Sequence, residues 1–147
     1  MSEGIVVRAA RAGDAPALAA LATELGYPTD TAQIEPRLSM LLGSDCDAVF
    51  VVEAEGNEVV GFIHGAEKQL LVSARYVELG GLIVAAAARR RGAARLLIEA
   101  VERWARERNV DLLRVRTRFE RDVADVAYRR CGFELEKKQR VFVKPLA

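Results

Sequence analysis

The chain is poor in the residues from which disulfide-stapled, metal-bound and membrane proteins are built. Its 147 residues include two cysteines, one histidine and four prolines. Cys46 and Cys131 have no second Cys or His at ligand spacing, so neither a disulfide framework nor a zinc or other metal site is expected. No apolar run approaches the roughly 20 residues that a membrane-crossing helix needs, so no membrane partner is expected. The N-terminus lacks a basic start followed by a long apolar segment. No secretory signal is therefore expected, and the cytoplasm is the expected compartment. Excess charge of either sign is also missing. Against 22 Lys and Arg stand 21 Asp and Glu, a net charge of +1, so a surface that coats nucleic acid is not indicated. Repeats, low-complexity tracts and linker compositions are absent.

What remains is an ordinary globular composition, 51% hydrophobic and 29% charged, long enough to bury a core as one domain spanning residues 1–147. Residues 5–7 read as a first strand. Asp14 and Pro16 mark a helix start, with Leu18, Leu21, Ala22 and Leu25 on one face, and Gly26 closes it. A second helix is expected over residues 30–42. Asp30 and Gln33 resemble a capping box there, and Pro36 should impose a kink or a late start. Residues 48–71 read as a hairpin turning at EGNE, and a third strand runs over 75–84. Leu96, Leu97, Ala100, Val101, Trp104 and Ala105 form the stripe of a long helix that ends near Asn109. Residues 111–117 alternate as a strand, 122–130 as a helix closed by Gly132, and 133–144 as one or two final strands. The order implies a mixed α/β domain with a central sheet.

The least ordinary stretch lies where the strand over 75–84 feeds the long helix: Arg89-Arg90-Arg91-Gly92-Ala93-Ala94-Arg95. The first turn of a helix leaves about four N–H groups unpartnered, and the macrodipole adds partial positive charge. Gly92 lets an anion approach without an intervening side chain, Ala93 and Ala94 keep the surface low, and the arginines add charge. These are the parts of a phosphate site. Gly80 and Gly81 upstream suit a β-bulge beside a ligand.

At this point the chain resembles the GCN5-related N-acetyltransferase superfamily. Its Arg/Gln-x-x-Gly-x-Gly/Ala motif is matched by Arg89, Gly92 and Ala94, with Arg90 where the family more often has glycine. A second pattern, Asn-x-x-Ala-x-x-x-Tyr-x-x-x-Gly-Phe, is matched by Ala124, Tyr128, Gly132 and Phe133, with Arg121 in place of Asn. The resemblance implies a mostly antiparallel sheet of about six to seven strands, splayed between the fourth and fifth, with about four flanking helices. It implies acetyl-CoA as acetyl donor, its diphosphate on the amides of residues 89–95 and its pantetheine along Leu82, Ile83 and Val84. Ala124, Arg129 and Arg130 would lie toward the rest of the cofactor.

Transfer of acetyl to an amine poses two proton problems. A lysine-like amine with a pKa near 10.4 is uncharged in only about one molecule in 2,500 at pH 7. The departing thiolate, with a thiol pKa of roughly 8.5, leaves more easily when protonated. The resemblance makes Tyr128 the acid and Glu78 the base, Glu78 lying in the register that histone-acetylating members use. Many relatives place the acidic residue where this chain has Gly80. His64 is the reserve base, since histidine titrates in the useful range. Tyr27, Met40, Asp45, Asp47, His64 and Tyr76 are candidates for the acceptor side. Leu96, Leu97, Val101 and Trp104 read as core, and Cys131 as a small buried hydrophobe. The expected function is transfer of acetyl from acetyl-CoA to a primary amine. A non-catalytic acyl-CoA-binding module and an arginine-based anion or nucleic-acid binder are the alternatives, the last disfavoured by the neutral charge. Residues 140–144 are apolar enough to pair with another chain, so a homodimer is a reasonable expectation.

Overall fold

The computed structural model describes residues 4–117 and 122–147, giving only the backbone of 122–124. The chain divides into two compact units, Met1–Arg116 and Thr117–Ala147. The first holds a five-stranded sheet in sequence order, β1 (Val6–Ala9), β2 (Asp47–Glu53), β3 (Val59–Lys68), β4 (Tyr76–Val84) and β5 (Leu113–Val115). Strands β1 to β4 are antiparallel, and β5 joins β4 in parallel. Helices α1 (Ala15–Glu24) and α2 (Thr31–Leu42) connect β1 to β2, and α3 (Ala93–Glu107) connects β4 to β5. The second unit holds α4 (Asp122–Arg130). No helix among the described residues is long and apolar enough to cross a membrane.

Alternation along β2 and β3 divides the sheet into two apolar faces. Val49 and Val51 pack with Leu18 of α1 and Leu38 of α2, joined by the partly buried Phe62. Their neighbours Val52 and Ile63 turn the other way, toward Leu97 and Val101 of α3, and all four are essentially inaccessible. Burial of each such side chain contributes about 1.5–3 kcal/mol, so this layer fixes where α3 lies on the sheet. Gly65 completes the fit: a Cβ on it would stand 3.0 Å from Val101 Cγ1.

Local signals explain most element ends. Asp30 accepts from Gln33 N at 2.8 Å and Gln33 Oε1 accepts from Asp30 N at 3.0 Å, so the capping box forms. With its first turn satisfied in this way, α2 begins at Thr31 and runs through Pro36, so the expected late start does not occur. Asp14 precedes α1 but makes no capping bond to it. Its carboxylate instead accepts Arg8 Nη1 at 2.8 Å and Nη2 at 2.9 Å, and also Arg11 N at 2.9 Å. Asn109, at φ 60, takes the left-handed position after α3, and Val110 N returns to Ala105 O at 2.9 Å.

Two expectations need correction. Among the described residues the sheet has five strands rather than six or seven, because residues 133–147 form no strand. Their apolar residues, Val141 to Val143 among them, suit a strand, but a strand exists only where another backbone supplies a ladder, and none does so among the described residues. Val141, Phe142 and Val143 are exposed. Strand β5 is also shorter than the expected 111–117. It pairs with β4 only through Val77 with Leu113, Glu78 with Arg114 and Leu79 with Val115. Beyond Leu79, β4 continues to Val84 against β3 alone, leaving its other edge open among the described residues. This is the splay expected between the fourth and fifth strands.

Candidate active site

The open edge of β4 begins at a bulge. His64 pairs with Gly81 and Gly65 with Leu79, so Gly80 is an extra residue with no partner on β3. From here Leu82, Ile83 and Val84 are half-buried and lead through a short 3-10 turn, Ala86–Ala88, into the arginine loop. Arg89 Nε lies 3.4 Å from Val84 O, and Arg91 Nη2 pairs with Glu55 Oε1 at 3.1 Å. Arg90 has φ 70 and Gly92 φ 82, both left-handed. The glycine more usual at position 90 in the resembled motif is thus what this backbone favours, and Arg90 holds it at a cost of about 1 kcal/mol.

Gly92 is also the residue on which α3 starts, and no side chain caps the helix there. Nothing lies within 4 Å of the place its Cβ would occupy. The first turn, whose N–H groups a helix leaves without intrahelical partners, thus begins beside open space at Gly92, at the positive end of a 15-residue helix. Ala93 is buried and Ala94 half-buried, while Arg89, Arg90 and Arg95 are exposed. The expected loop residues are brought together, and they suit a diphosphate in shape and in sign of charge.

On the face of the sheet that carries α1 and α2 stand both expected bases. Glu78, opposite Arg114 and Ala66, has Oε1 bound to Arg116 Nε at 3.1 Å. His64 occupies the same face of β3 as Phe62. Its Nε2 lies 2.8 Å from Asp47 Oδ1, and Asp47 Oδ2 accepts the Ser44 hydroxyl at 2.8 Å. The Ser44 oxygen in turn accepts Cys46 N at 3.1 Å. Asp47 pairs with Ala66, two residues beyond the partner of His64, so the contact is a cross-strand diagonal. Partial burial pushes the Asp47 carboxyl upward, but the His64 and Ser44 hydrogen bonds outweigh it and hold it below the ordinary carboxylate range.

The remaining acceptor-side candidates scatter. Tyr27, Met40 and Asp45 are exposed. Tyr76 is only 3% accessible, with the Arg114 guanidinium 4.2 Å from its ring centre, so it serves packing. Among the other residues weighed earlier, Leu97 and Val101 are core, Leu96, Trp104 and Cys131 are half-buried, and Cys46 is exposed. A separate cleft of about 730 Å³ lies between α1 and the β2–β3 turn and borders Ala85, but no expected site residue lines it. Its polar wall is the Arg8–Asp14–Glu53 ion network, with Arg8 Nε 3.1 Å from Glu53 Oε1. Sequence reasoning missed Ser44 and Arg116, and it took Asp47 for an amine ligand rather than a histidine partner. Cross-strand register alone could have paired Asp47 with His64.

In the second unit, Tyr128 is half-buried near the end of α4. Gly132, at φ 91, ends the helix, and Phe133 N returns to Tyr128 O at 3.1 Å. That turn sets the Phe133 ring edge-on to Tyr128, with centroids 5.5 Å apart. Arg129 pairs with Asp125 at 3.1 Å, and Arg130 is exposed. The side chain of Ala124 and all of Arg121 lie outside the described residues.

Comparisons with known proteins bear on the fold and on the family. A search of curated proteins returns no match. Among solved structures, the aminoglycoside antibiotic 6'-N-acetyltransferase AAC(6')-Ih from Acinetobacter baumannii superposes with a TM-score of 0.87 at 16% identity, covering 98% of this chain and all of that one. AAC(6')-Iy, bound to the bisubstrate analogue CoA-S-monomethyl-acetylneamine, gives 0.84 at 22% identity, over 97% of this chain and 99% of its own. A transcriptional regulator from Bacillus halodurans C-125 gives 0.83 at 19%, over 95% and 99%. These likenesses establish the fold. A sequence profile of the Acetyltransferase (GNAT) family matches residues 17–133, most of the chain, and the protein belongs to that family.

Proposed function

We propose that the protein moves the acetyl group of acetyl-CoA to a primary amine by direct attack in a ternary complex. One observation carries the reading: the edge of β4 that is open among the described residues leads, through the short turn Ala86–Ala88 and the arginine loop, to the start of α3 at Gly92, which no side chain caps. A strand edge offers main-chain groups to an amide-bearing arm, and a helix start offers N–H groups to a diphosphate. Pantetheine diphosphate carries both in that order. The main-chain groups of Leu82, Ile83 and Val84 serve the first part. The amides of residues 89–95, with the charges of Arg89, Arg90, Arg91 and Arg95, serve the second. The neighbouring AAC(6')-Iy structure, which holds a CoA bisubstrate analogue, supports the assignment.

In the reaction the amine nitrogen attacks the thioester carbonyl, the carbon–sulfur bond breaks, and the amide and free CoA thiol leave. Tyr128 supplies the proton to the thiolate, and Ala124 and Arg130 belong to the cofactor side of the same segment. The proton lost by the amine goes to a group on the α1/α2 face of the sheet, where Glu78 and His64 both stand. Acidic residues on the acceptor side, Asp45 among them, favour a cationic amine. Aminoglycosides belong in the acceptor panel because two of the compared structures are aminoglycoside acetyltransferases.

Thiol-release kinetics with acetyl-CoA across polyamines, amino acids, peptides and aminoglycosides test the reading. Turnover with at least one amine class is expected, and Tyr128→Phe should lower kcat by about 100- to 10,000-fold, the span usual for losing an acid catalyst. CoA binding without thiol release from any amine would instead make the chain a non-catalytic acyl-CoA sensor.

A further inference from the structure

We propose that His64 is the base that takes the amine proton, with Asp47 and Ser44 as its positioning residues. The inference rests on the acetyl-transfer reading and assigns its unsettled proton. Asp47 is an acceptor on both oxygens, taking the Ser44 hydroxyl on Oδ2, so Oδ1 requires a hydrogen on His64 Nε2. In the neutral ring the lone pair then belongs to Nδ1. That nitrogen makes no hydrogen bond among the described residues, and it points at the bulge: a Cβ on Gly80 would stand 2.6 Å from it. The ring thus fills the space that a side chain at position 80 would need. Position 80 is also where the edge of β4 that is open among the described residues begins. Nucleophile activation elsewhere uses the same logic, a base whose far nitrogen is oriented by a carboxylate. Glu78, by contrast, has one oxygen engaged by Arg116.

The groups that bear on the ring are few. From β2 comes Asp47, with Ser44, Asp45 and Cys46 in the turn before it. Lys68 of β3 acts on Asp47 at longer range. Strand β4 brings Gly80 and Gly81, without charge, and Glu78 two residues further along the same face.

The chain contains one histidine, so imidazole signals in a tag-free sample report His64 alone. Nitrogen-15 NMR of the wild-type protein should show the neutral ring with Nε2 protonated and Nδ1 unprotonated, and Asp47→Asn should weaken that preference. Kinetically, His64→Gln should lower kcat/KM by about 100- to 10,000-fold, with the affinity for CoA unchanged. Added imidazole should restore part of the turnover of His64→Ala, and Asp47→Asn should shift the acid limb of the pH profile. Glu78→Gln should cost less than tenfold. Wild-type protein that releases no thiol with any amine defeats the acetyl-transfer reading and this inference with it. An active wild type whose His64→Gln variant stays within twofold, or whose His64 carries its hydrogen on Nδ1, overturns the inference alone. If His64→Gln fails to fold, the tautomer of the wild type decides.

Discussion

Gly80 offers the sharpest test of the packing around His64. Its φ lies outside the left-handed region, so the backbone accepts an alanine and the only obstacle is steric. An alanine Cβ would meet His64 Nδ1 at 2.6 Å, well inside van der Waals contact. The ring must therefore swing away, yet Asp47 holds it at 2.8 Å on the opposite nitrogen. An off-rotamer ring costs about 0.5–1.5 kcal/mol. Loss of its charge-assisted bond costs about 1 kcal/mol, at the low end because the two side chains remain 25% and 19% accessible. Replacing glycine returns about 0.4–1 kcal/mol by narrowing the unfolded ensemble. The balance is a net loss of about 1–2 kcal/mol, or about 3–6 °C in Tm for a chain of this size. In a His64→Ala background the obstacle is gone, and Gly80→Ala should become neutral or stabilising. Urea unfolding of the four proteins closes a double-mutant cycle, for which a coupling of about 1.5–2.5 kcal/mol is expected. If Gly80→Ala costs the same with and without the histidine, the ring does not occupy that space and the reasoning is wrong.

Five other substitutions probe the rest of the argument. The Arg8 guanidinium, paired with Asp14, holds the Asp14 carboxyl below its ordinary value of 3.8, so this contribution is present above that pH and lost as pH falls through the lowered value. Asp14→Asn should cost about 2–3 kcal/mol at pH 7, less below pH 4, and flatten the acid limb of a stability–pH curve measured by urea titration. Arg90→Gly should be neutral to about 1 kcal/mol stabilising, whereas Gly92→Ala should lose about 1–2 kcal/mol and weaken CoA binding measured by calorimetry. Gly65→Ala should cost about 1–3 kcal/mol by pressing on Val101, and Val101→Ala should relieve much of it in a thermal melt of the double variant.

Much of the architecture can be read from periodicity because it is local. The α3 stripe, the capping box of α2 and the Gly26 and Gly132 stops need only a few neighbouring residues to be recognised, and each has its counterpart in the fold. The phosphate-type loop is legible for the same reason, since a helix start, a glycine and three arginines are contiguous. The strands expected over 133–144 show the limit: apolar residues say that a segment can join a sheet, not that a neighbouring edge is available to it. The His64–Asp47 contact was illegible for a different reason. It depends on the register of β2 on β3, and the space for the ring depends on an unpaired residue in β4. A lone histidine and an aspartate 17 positions earlier carry no mark of that coincidence.

The bulge at Gly80 is where these facts converge. Inserting one residue into β4 shifts every position before it relative to β3 and accentuates the local twist. Its placement coincides with the last pair that β4 makes with β5, at Leu79 and Val115. Beyond that point the strand keeps one free edge among the described residues, which is what a cofactor arm needs if it is to lie beside the sheet rather than above it. The same insertion leaves position 80 without a partner, and only a residue lacking a side chain leaves room there for an imidazole from β3. The end of the β4–β5 pairing and the space for the histidine thus fall at one local irregularity. A deletion of Gly80 that restored regular pairing should damage both together, lowering CoA affinity and turnover, whereas Gly80→Ala should damage turnover while leaving affinity near the wild-type value.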